Sequence, residues 1–172
     1  MLRVSLTITA LFLFVSSLSA QEPASIPASV QKHMASMVGS WTFKGKAGDG
    51  KFSGEETIRL SSNKTALIQE GYFAAKRPGG KKEHYVILSG WDGGKKTVLV
   101  RGFTSDGITW TGEWKKVKNG KWVGTASGAP AKFEVKKDSM RYEDASSGKP
   151  GEPWISEFTR KKEMTNKEGK AK

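Results

Sequence analysis

The chain of 172 residues contains no cysteine. This absence excludes disulfide bridges, thiolate metal sites and a lipid-modified N-terminal cysteine. A folded domain of this chain must therefore rely on its hydrophobic core.

Histidine is nearly absent as well, because the chain has only His33 and His84. Neither has serine and aspartate partners at a recognisable triad spacing, and no metal cluster, P-loop or dinucleotide motif is present. His84 precedes Tyr85 and is expected at the rim of the fold rather than as a ligand. We therefore assign no catalytic residues, no metal and no cofactor.

Long hydrophobic runs are limited to the first twenty residues, MLRVSLTITALFLFVSSLSA. Arg3, an apolar run and then small residues are typical of a secretory signal peptide covering 1–20, with cleavage near Ser19 or Ala20. An uncleaved anchor is the alternative, although the apolar core of residues 6–15 is short for a spanning helix. We expect a secreted or periplasmic mature chain without a transmembrane span.

Acidic residues are outnumbered, with 17 Asp+Glu against 29 Lys+Arg and a net charge of +12. This balance favours anionic partners such as lipid headgroups, polyanionic glycans or nucleic acid. Export argues against nucleic acid. The alternative is that the positive charge only keeps the protein soluble.

What the chain does contain is a series of short strand-like runs. Residues 21–28 resemble a flexible leader, and the spacing of Val30, Met34, Met37 and Val38 predicts a short helix over 28–38. Clusters of Gly, Asn, Asp, Ser and Pro then separate ten runs. The predicted strands are 41–46, 53–61, 65–74, 84–91, 97–103, 109–117, 121–127, 131–136, 139–143 and 154–161.

The connections between these strands carry hairpin pairs such as Asp49-Gly50, Asp106-Gly107 and Asn119-Gly120. Consecutive hairpins predict an up-and-down meander, which hides its edges by closing into a barrel. We therefore predict an all-β fold over 29–162, a single antiparallel barrel of about 8–10 strands with a short N-terminal helix. The polar segment 163–172 is predicted to be a disordered basic tail.

The segment SDGITW, residues 105–110, resembles the Asp-box hairpin of sialidase β-propellers. It occurs once, it is one residue short, and the chain is too short for the four or more blades of a propeller. The Asp-Gly pair is therefore interpreted as an ordinary turn between two strands.

Gly39-Ser40-Trp41 opens the first strand directly after the predicted helix, and Arg160 lies late in the last strand. This order resembles the plan of calycins and lipocalins. Together with EGY at 70–72, GWD at 90–92 and SDGITWTG at 105–112, it is similar to a group of exported, uncharacterised bacterial lipocalin-like domains. The resemblance implies that Trp41 packs across a closed barrel end with Arg160 over its ring, and it implies no known reaction. The usual lipocalin disulfide is missing, and no histidine matches the axial ligand of haem-binding relatives.

Five Lys-Lys pairs fall at strand ends or turns. Because turns of a meander alternate between its two ends, most of these lysines are predicted to gather at the closed end, and the open end is predicted to be nearly balanced in charge. Such a basic end suits docking to an anionic envelope surface, or it serves solubility alone. The lysines assigned to it are Lys95, Lys96, Lys115, Lys116, Lys136, Lys137, Lys161 and Lys162.

The candidate ligand site is an aromatic lining near the open end. Its residues are Tyr72, Tyr85, Trp91, Arg101, Trp110, Glu113 and Trp114. Core filling is the alternative role for the aromatic residues. Glu70, Arg101 and Glu113 would be paired if they pointed inward, and otherwise they are outward charges on alternate positions. The third to fifth strands are apolar on both faces, so a helix, a partner or a ligand is expected to cover the outer one.

Three functions follow. The first is non-enzymatic binding of a small apolar or amphipathic ligand in the barrel. The second is an envelope-surface or interaction module that uses the basic end, and the third is an enzyme with a site built on Glu70, Arg101 or Glu113. The oligomeric state is left open.

Overall fold

The computed structural model describes residues 25–74, 81–116, 121–145 and 152–162. The predicted signal peptide and the predicted C-terminal tail lie outside these residues. One helix, α1 (Ala28–Met37), precedes the strands. The strands are β1 (Gly39–Ala47), β2 (Gly50–Leu60), β3 (Ala66–Phe73), β4 (Glu83–Asp92), β5 (Thr97–Thr104), β6 (Thr109–Lys116), β7 (Lys121–Ala126), β8 (Ala129–Val135), β9 (Ser139–Asp144) and β10 (Trp154–Arg160).

These strands form a closed up-and-down barrel. Each strand pairs in antiparallel fashion with its sequence neighbours, and β1 closes the sheet by pairing with β10. Trp41 lies opposite Arg160 and Phe43 opposite Phe158 in that closing pair. The all-β prediction of one barrel with a short N-terminal helix is confirmed, and the largest boundary difference is β2, which begins at Gly50 rather than at residue 53.

Helix α1 plugs one end of the barrel. Val30, Met34 and Met37 are buried there, and the ring of His33 stacks on Trp122 with centroids 4.2 Å apart. The prediction that Val38 shares the apolar helix face is wrong, because the helix ends at Met37. Val38 has an extended backbone (φ −57°, ψ 131°) and is exposed. We call the end that holds α1 the closed end.

The turns alternate between the two ends as a meander requires. The closed end carries the β2–β3, β4–β5, β6–β7 and β8–β9 connections, together with the start of β1 and the end of β10. The open end carries the other five connections. In the β5–β6 turn at that end, the Asp106 carboxylate accepts a hydrogen bond from the Thr104 hydroxyl and Gly107 has φ 88°. Backbone geometry therefore accounts for the Asp-Gly pair of the SDGITW segment.

Large aromatic rings lie over two inward-facing glycines of the barrel. The indole of Trp110 covers Gly102, and the ring of Tyr85 covers Gly71, so a Cβ at either glycine would collide with the ring. Glycine in a strand leaves room for such close approach and for strand bending.

The outer face of β4 and β5 is apolar and exposed. Leu88 is 44% and Phe103 is 43% exposed, and Val86 lies opposite Phe103. The helix does not cover this face, because α1 packs against β2 and β8.

Candidate functional site

A buried carboxyl group, Glu56, lies inside the barrel in the middle of β2. It lies two residues before Ile58, so both side chains face the interior. Its neighbours across the sheet are Trp41 on β1 and Gly71 on β3. The residue is only 4% exposed. Its Oε2 atom accepts hydrogen bonds from Gln69 Nε2 and from the Tyr85 hydroxyl, both at 2.7 Å. Its Oε1 atom is buried and has no hydrogen-bond partner among the described residues.

The environment of Glu56 favours its neutral form. Burial raises its pKa above the ordinary value, and the hydrogen bonds from Gln69 and Tyr85 offset this only in part. Burial and the neighbouring Glu56 also raise the pKa of Tyr85, so the phenol stays protonated and continues to donate. A neutral Glu56 carboxyl can accept through Oε2 and donate through Oε1.

A second polar group lies on β9 and β10, nearer the open end. Asp144 and Ser156 are both buried, and Ser156 Oγ accepts a hydrogen bond from Trp154 Nε1 at 2.9 Å. Burial raises the pKa of Tyr142, and its hydrogen bond with Asp144 raises it further. The interior therefore holds two carboxyl–tyrosine pairs, on β2–β4 and on β9.

Three aromatic side chains close the interior at the open end. The rings of Phe52 and Trp154 have centroids 4.4 Å apart, and Phe73 lies 5.6 Å from Phe52 and 6.0 Å from Trp154. All three are half-buried. Beneath them Phe73 contacts Phe43 and Tyr85, with centroids at 5.5 and 5.2 Å. A small molecule entering from this end would pass this trio before it reached Glu56.

Four of the predicted lining residues point into the barrel. Tyr85 belongs to the Glu56 group, and Trp110 lies over Gly102. Trp114 lies 5.9 Å from the ring of Tyr142. Trp91 is half-buried near the closed end, and its Nε1 atom has no partner among the described residues.

The other three predicted lining residues lie on the outer face, because neighbouring residues of a strand point to opposite sides. Arg101 is exposed between the inward-facing Val100 and Gly102, and Glu113 accepts a hydrogen bond from Lys95 Nζ at 2.8 Å. Tyr72 carries Lys82 Nζ 4.0 Å above its ring.

Glu70 also points outward, where its carboxylate lies 3.6 Å from Arg59. The enzyme interpretation needs at least two of Glu70, Arg101 and Glu113 inside the barrel, and the structure places all three on the outer face.

At the closed end, Arg160 joins α1 to the barrel. Its guanidinium carbon lies 4.1 Å from the ring centroid of Trp41, and its nitrogens donate to the carbonyls of Ser36 (2.8 Å), Val38 (2.5 Å) and Lys137 (3.1 Å). Trp41 Nε1 donates to the carbonyl of Met37 at 2.9 Å. Gly39 has φ 143°, and a side chain there would collide with Arg160. The stacking of Arg160 on Trp41 leaves no room for a side chain at residue 39, which explains why Gly39, Trp41 and Arg160 occur together.

The interior polar residues Glu56, Gln69, Tyr142 and Asp144 were missed in the sequence. The sequence did contain a signal for Glu56. Phe52, Ile58 and Leu60 lie an even number of residues away from it, so they face the same side of the strand, and all three are apolar. On β9, Tyr142 and Asp144 likewise lie two and four residues after the buried Met140 and therefore face the interior. The adjacent Glu55 masks the pattern, since two neighbouring glutamates suggest a solvated strand.

Known proteins offer little comparison. No protein-family model matches the sequence, and no curated protein matches it either. Among solved structures, the chain is similar to a designed protein described as a de novo design of a fluorescence-activating beta barrel. The two share 15% sequence identity with a TM-score of 0.47, over 74% of this chain and 96% of the designed one. The likeness is one of barrel shape only.

Among the described residues, no helix is long and apolar enough to cross a membrane. No group of three or more His, Asp or Glu side chains within them could hold a metal ion. A cleft of about 220 Å³ lies by β7, β8 and β9, and its charged wall includes the ion-paired Arg141 and Glu143.

Proposed function

We propose that this chain is an exported, calycin-like barrel that binds a small amphipathic molecule in its interior, without catalysing a reaction. One observation carries the proposal, namely the buried Glu56 carboxyl group whose Oε1 atom lacks a partner among the described residues. A buried polar atom left unsatisfied costs about 1–3 kcal/mol. A well-packed apolar side chain often serves a core better than a buried polar group whose hydrogen bonds are only partly satisfied. A ligand that pairs with Oε1 gives the chain a reason to keep glutamate there.

The chemistry around Glu56 indicates which ligands fit. The ligand needs a hydrogen-bonding group for Oε1, and its apolar part would lie against Phe43, Phe73 and Tyr85. Small-molecule sites commonly combine mostly apolar walls with a few placed polar groups. The trio of Phe52, Phe73 and Trp154 would have to move apart for the ligand to enter from the open end.

The calycin part of the proposal is supported by the contact between Trp41 and Arg160 and by the glycine that this contact requires. Export is supported by the first twenty residues of the sequence. Neither feature names a ligand, so the test must identify one directly.

The experiment is native mass spectrometry of the mature protein purified from its source, before and after gentle denaturation. We expect an added mass that is released on denaturation and reduced in Glu56→Leu. The matched control, Glu70→Leu, removes an exposed outer-face carboxylate and should keep the added mass. A bare mass for the wild-type protein under the gentlest conditions would contradict the proposal, as would equal retention in both variants.

A further inference from the structure

Positive charge is concentrated at the closed end of the barrel. Lys95, Lys136, Arg160 and Lys161 each lie within 4 Å of a carboxylate there, on Glu113, Glu134, Asp138 and Glu55 respectively. The end also carries cations with no ion pair among the described residues. They include Lys32 on α1, Lys64, Lys96 and Lys137 in the turns, Lys115 and Lys121 near strand ends, and Lys162 after β10.

The open end differs in its charge. Its described lysines, among them Lys51, Lys81 and Lys82, are interspersed with acidic residues. The acidic residues of this end are Asp49, Glu83, Asp106 and Glu152. Among the described residues, the closed end therefore carries the larger excess of positive charge.

Two of the lysines without ion pairs occupy unusual backbone positions. Lys64 has φ 58° and Lys96 has φ 52°, and Ser127 is the only other non-glycine residue with positive φ in the described part of the chain. Glycine and asparagine adopt this conformation at lower cost. Asn63 adjoins Lys64, and Gly94 lies two residues before Lys96. Lysine at these two turn tips is therefore less favourable for the backbone than glycine or asparagine would be.

Both ends of the described chain lie at this same end of the barrel. Helix α1 leads into β1 there, and Lys161 and Lys162 follow β10 there.

We propose that the closed end docks on an anionic phospholipid surface through Lys64, Lys96 and the neighbouring turn lysines. Lysine ammonium groups near a bilayer are attracted to phosphate and carboxylate headgroups, and the attraction weakens as salt screens it. A single-stranded nucleic acid fits this end less well, because stacking needs exposed rings. Among the described residues, the aromatic side chains of the closed end are buried or half-buried.

The test is co-sedimentation of the mature protein with vesicles of phosphatidylcholine, alone or mixed with phosphatidylglycerol, at low and high salt. We expect binding only to the mixed vesicles, and loss of that binding at high salt. The double variant Lys64→Asn and Lys96→Gly should bind about tenfold or more weakly. Both substitutions suit positive φ, so the double variant should be at least as stable as the wild type, and misfolding would not explain its lost binding.

The control is the double variant Lys51→Gln and Lys81→Gln, which removes the same charge from the open end and should bind as the wild type does. Equal binding to neutral vesicles, salt-insensitive binding or an equal loss in the control would overturn the proposal. Tighter binding to heparin or duplex DNA than to anionic vesicles at matched salt would also overturn it. Glu56→Leu should leave vesicle binding unchanged, which keeps this test separate from the interior site.

Discussion

At the scale of single residues, the strand pattern of β2 buries the Glu56 side chain, and this burial leaves one carboxyl oxygen without a partner among the described residues. The strand alternation that buries Ile58 also buries Glu56, so the carboxyl group cannot reach solvent without breaking the β2 pattern. Tyr85 and Gln69 satisfy one of its oxygens and leave the other facing the interior. The residue is therefore costly to the fold, and its Oε1 atom is the one that the proposed ligand would contact.

This burial predicts a pH-dependent stability. Because the pKa of Glu56 is raised from 4.5, the folded state holds the proton more tightly than the unfolded state. The resulting stabilisation is fully present below about pH 4.5 and is lost as pH rises through the folded-state pKa. Each tenfold gain in proton affinity on folding is worth about 1.4 kcal/mol.

The measurement is urea denaturation of the wild type and of Glu56→Gln from acidic to neutral pH. The stability of the wild type relative to the variant should decrease as pH rises, since glutamine does not ionise. Glu70→Gln is the matched control at an exposed position, and its pH profile should follow that of the wild type. Parallel profiles for the wild type and Glu56→Gln would show that Glu56 is not buried as described.

Single-residue orientation was only partly predictable from sequence. Alternation placed Trp110 and Trp114 on one face and Glu113 on the other, which the structure reproduces. It could not tell which face of the third to fifth strands is the interior, because both faces are apolar. The outer-face residues Val86, Leu88 and Phe103 are as apolar as the core residues, so the sequence pattern alone assigns them equally well to the interior. The inner face is determined by how the barrel closes, and closure depends on a long-range strand pairing that a local sequence pattern does not reveal.

At the scale of elements, the docking of α1 depends on Arg160. The guanidinium group binds the carbonyls of Ser36 and Val38 at the helix C-terminus while it covers Trp41. Cations at helix C-termini are favourable, and hydrogen bonds from charged donors are stronger than neutral ones. One side chain on the last strand therefore fixes the first helix of the fold.

We expect Arg160→Ala to lower the free energy of unfolding by about 2–3 kcal/mol. Arg160→Lys should recover less than half of this loss, because lysine keeps the charge without the planar fork. Arg141→Ala is the control, since the exposed Arg141 pairs with Glu143 and Glu157 on the outer surface. It should cost about 1 kcal/mol or less. Equal losses for Arg160→Ala and Arg141→Ala in urea denaturation would argue against the helix-docking role.

The elements themselves were the most predictable part of the chain. Hairpin pairs such as Asp49-Gly50 and Asp106-Gly107 mark strand ends because few residues tolerate the backbone angles of tight turns. The same chemistry predicts most strand ends closely. The start of β2 was predicted late, because Gly50 and Lys51 resemble turn residues but pair with Ala47 and Lys46 of β1.

At the scale of the whole molecule, closure of the sheet depends on one long-range pairing. Strand β1 meets β10 across almost the entire described chain. Every other pairing joins neighbours in sequence. Loss of the β1–β10 pairing would leave β1 and β10 as open edge strands, and exposed edge strands can pair with other chains.

We expect truncation after Glu152, which deletes β10, to abolish cooperative unfolding and to produce aggregates in size-exclusion chromatography. Truncation after Lys162 is the matched control, because it keeps β10 and removes only residues outside the described part. The control should remain monodisperse with an unchanged denaturation midpoint. A monodisperse, cooperatively unfolding protein without β10 would show that closure is dispensable.

The even number of strands has a consequence for how the protein can diversify. Because the barrel has ten strands, β1 begins and β10 ends at the closed end, and only connections between strands form the opposite rim. A domain joined before α1 or after β10 would start from the side away from that rim. The connections at that rim can therefore lengthen or change without altering the end at which the described chain enters and leaves the barrel.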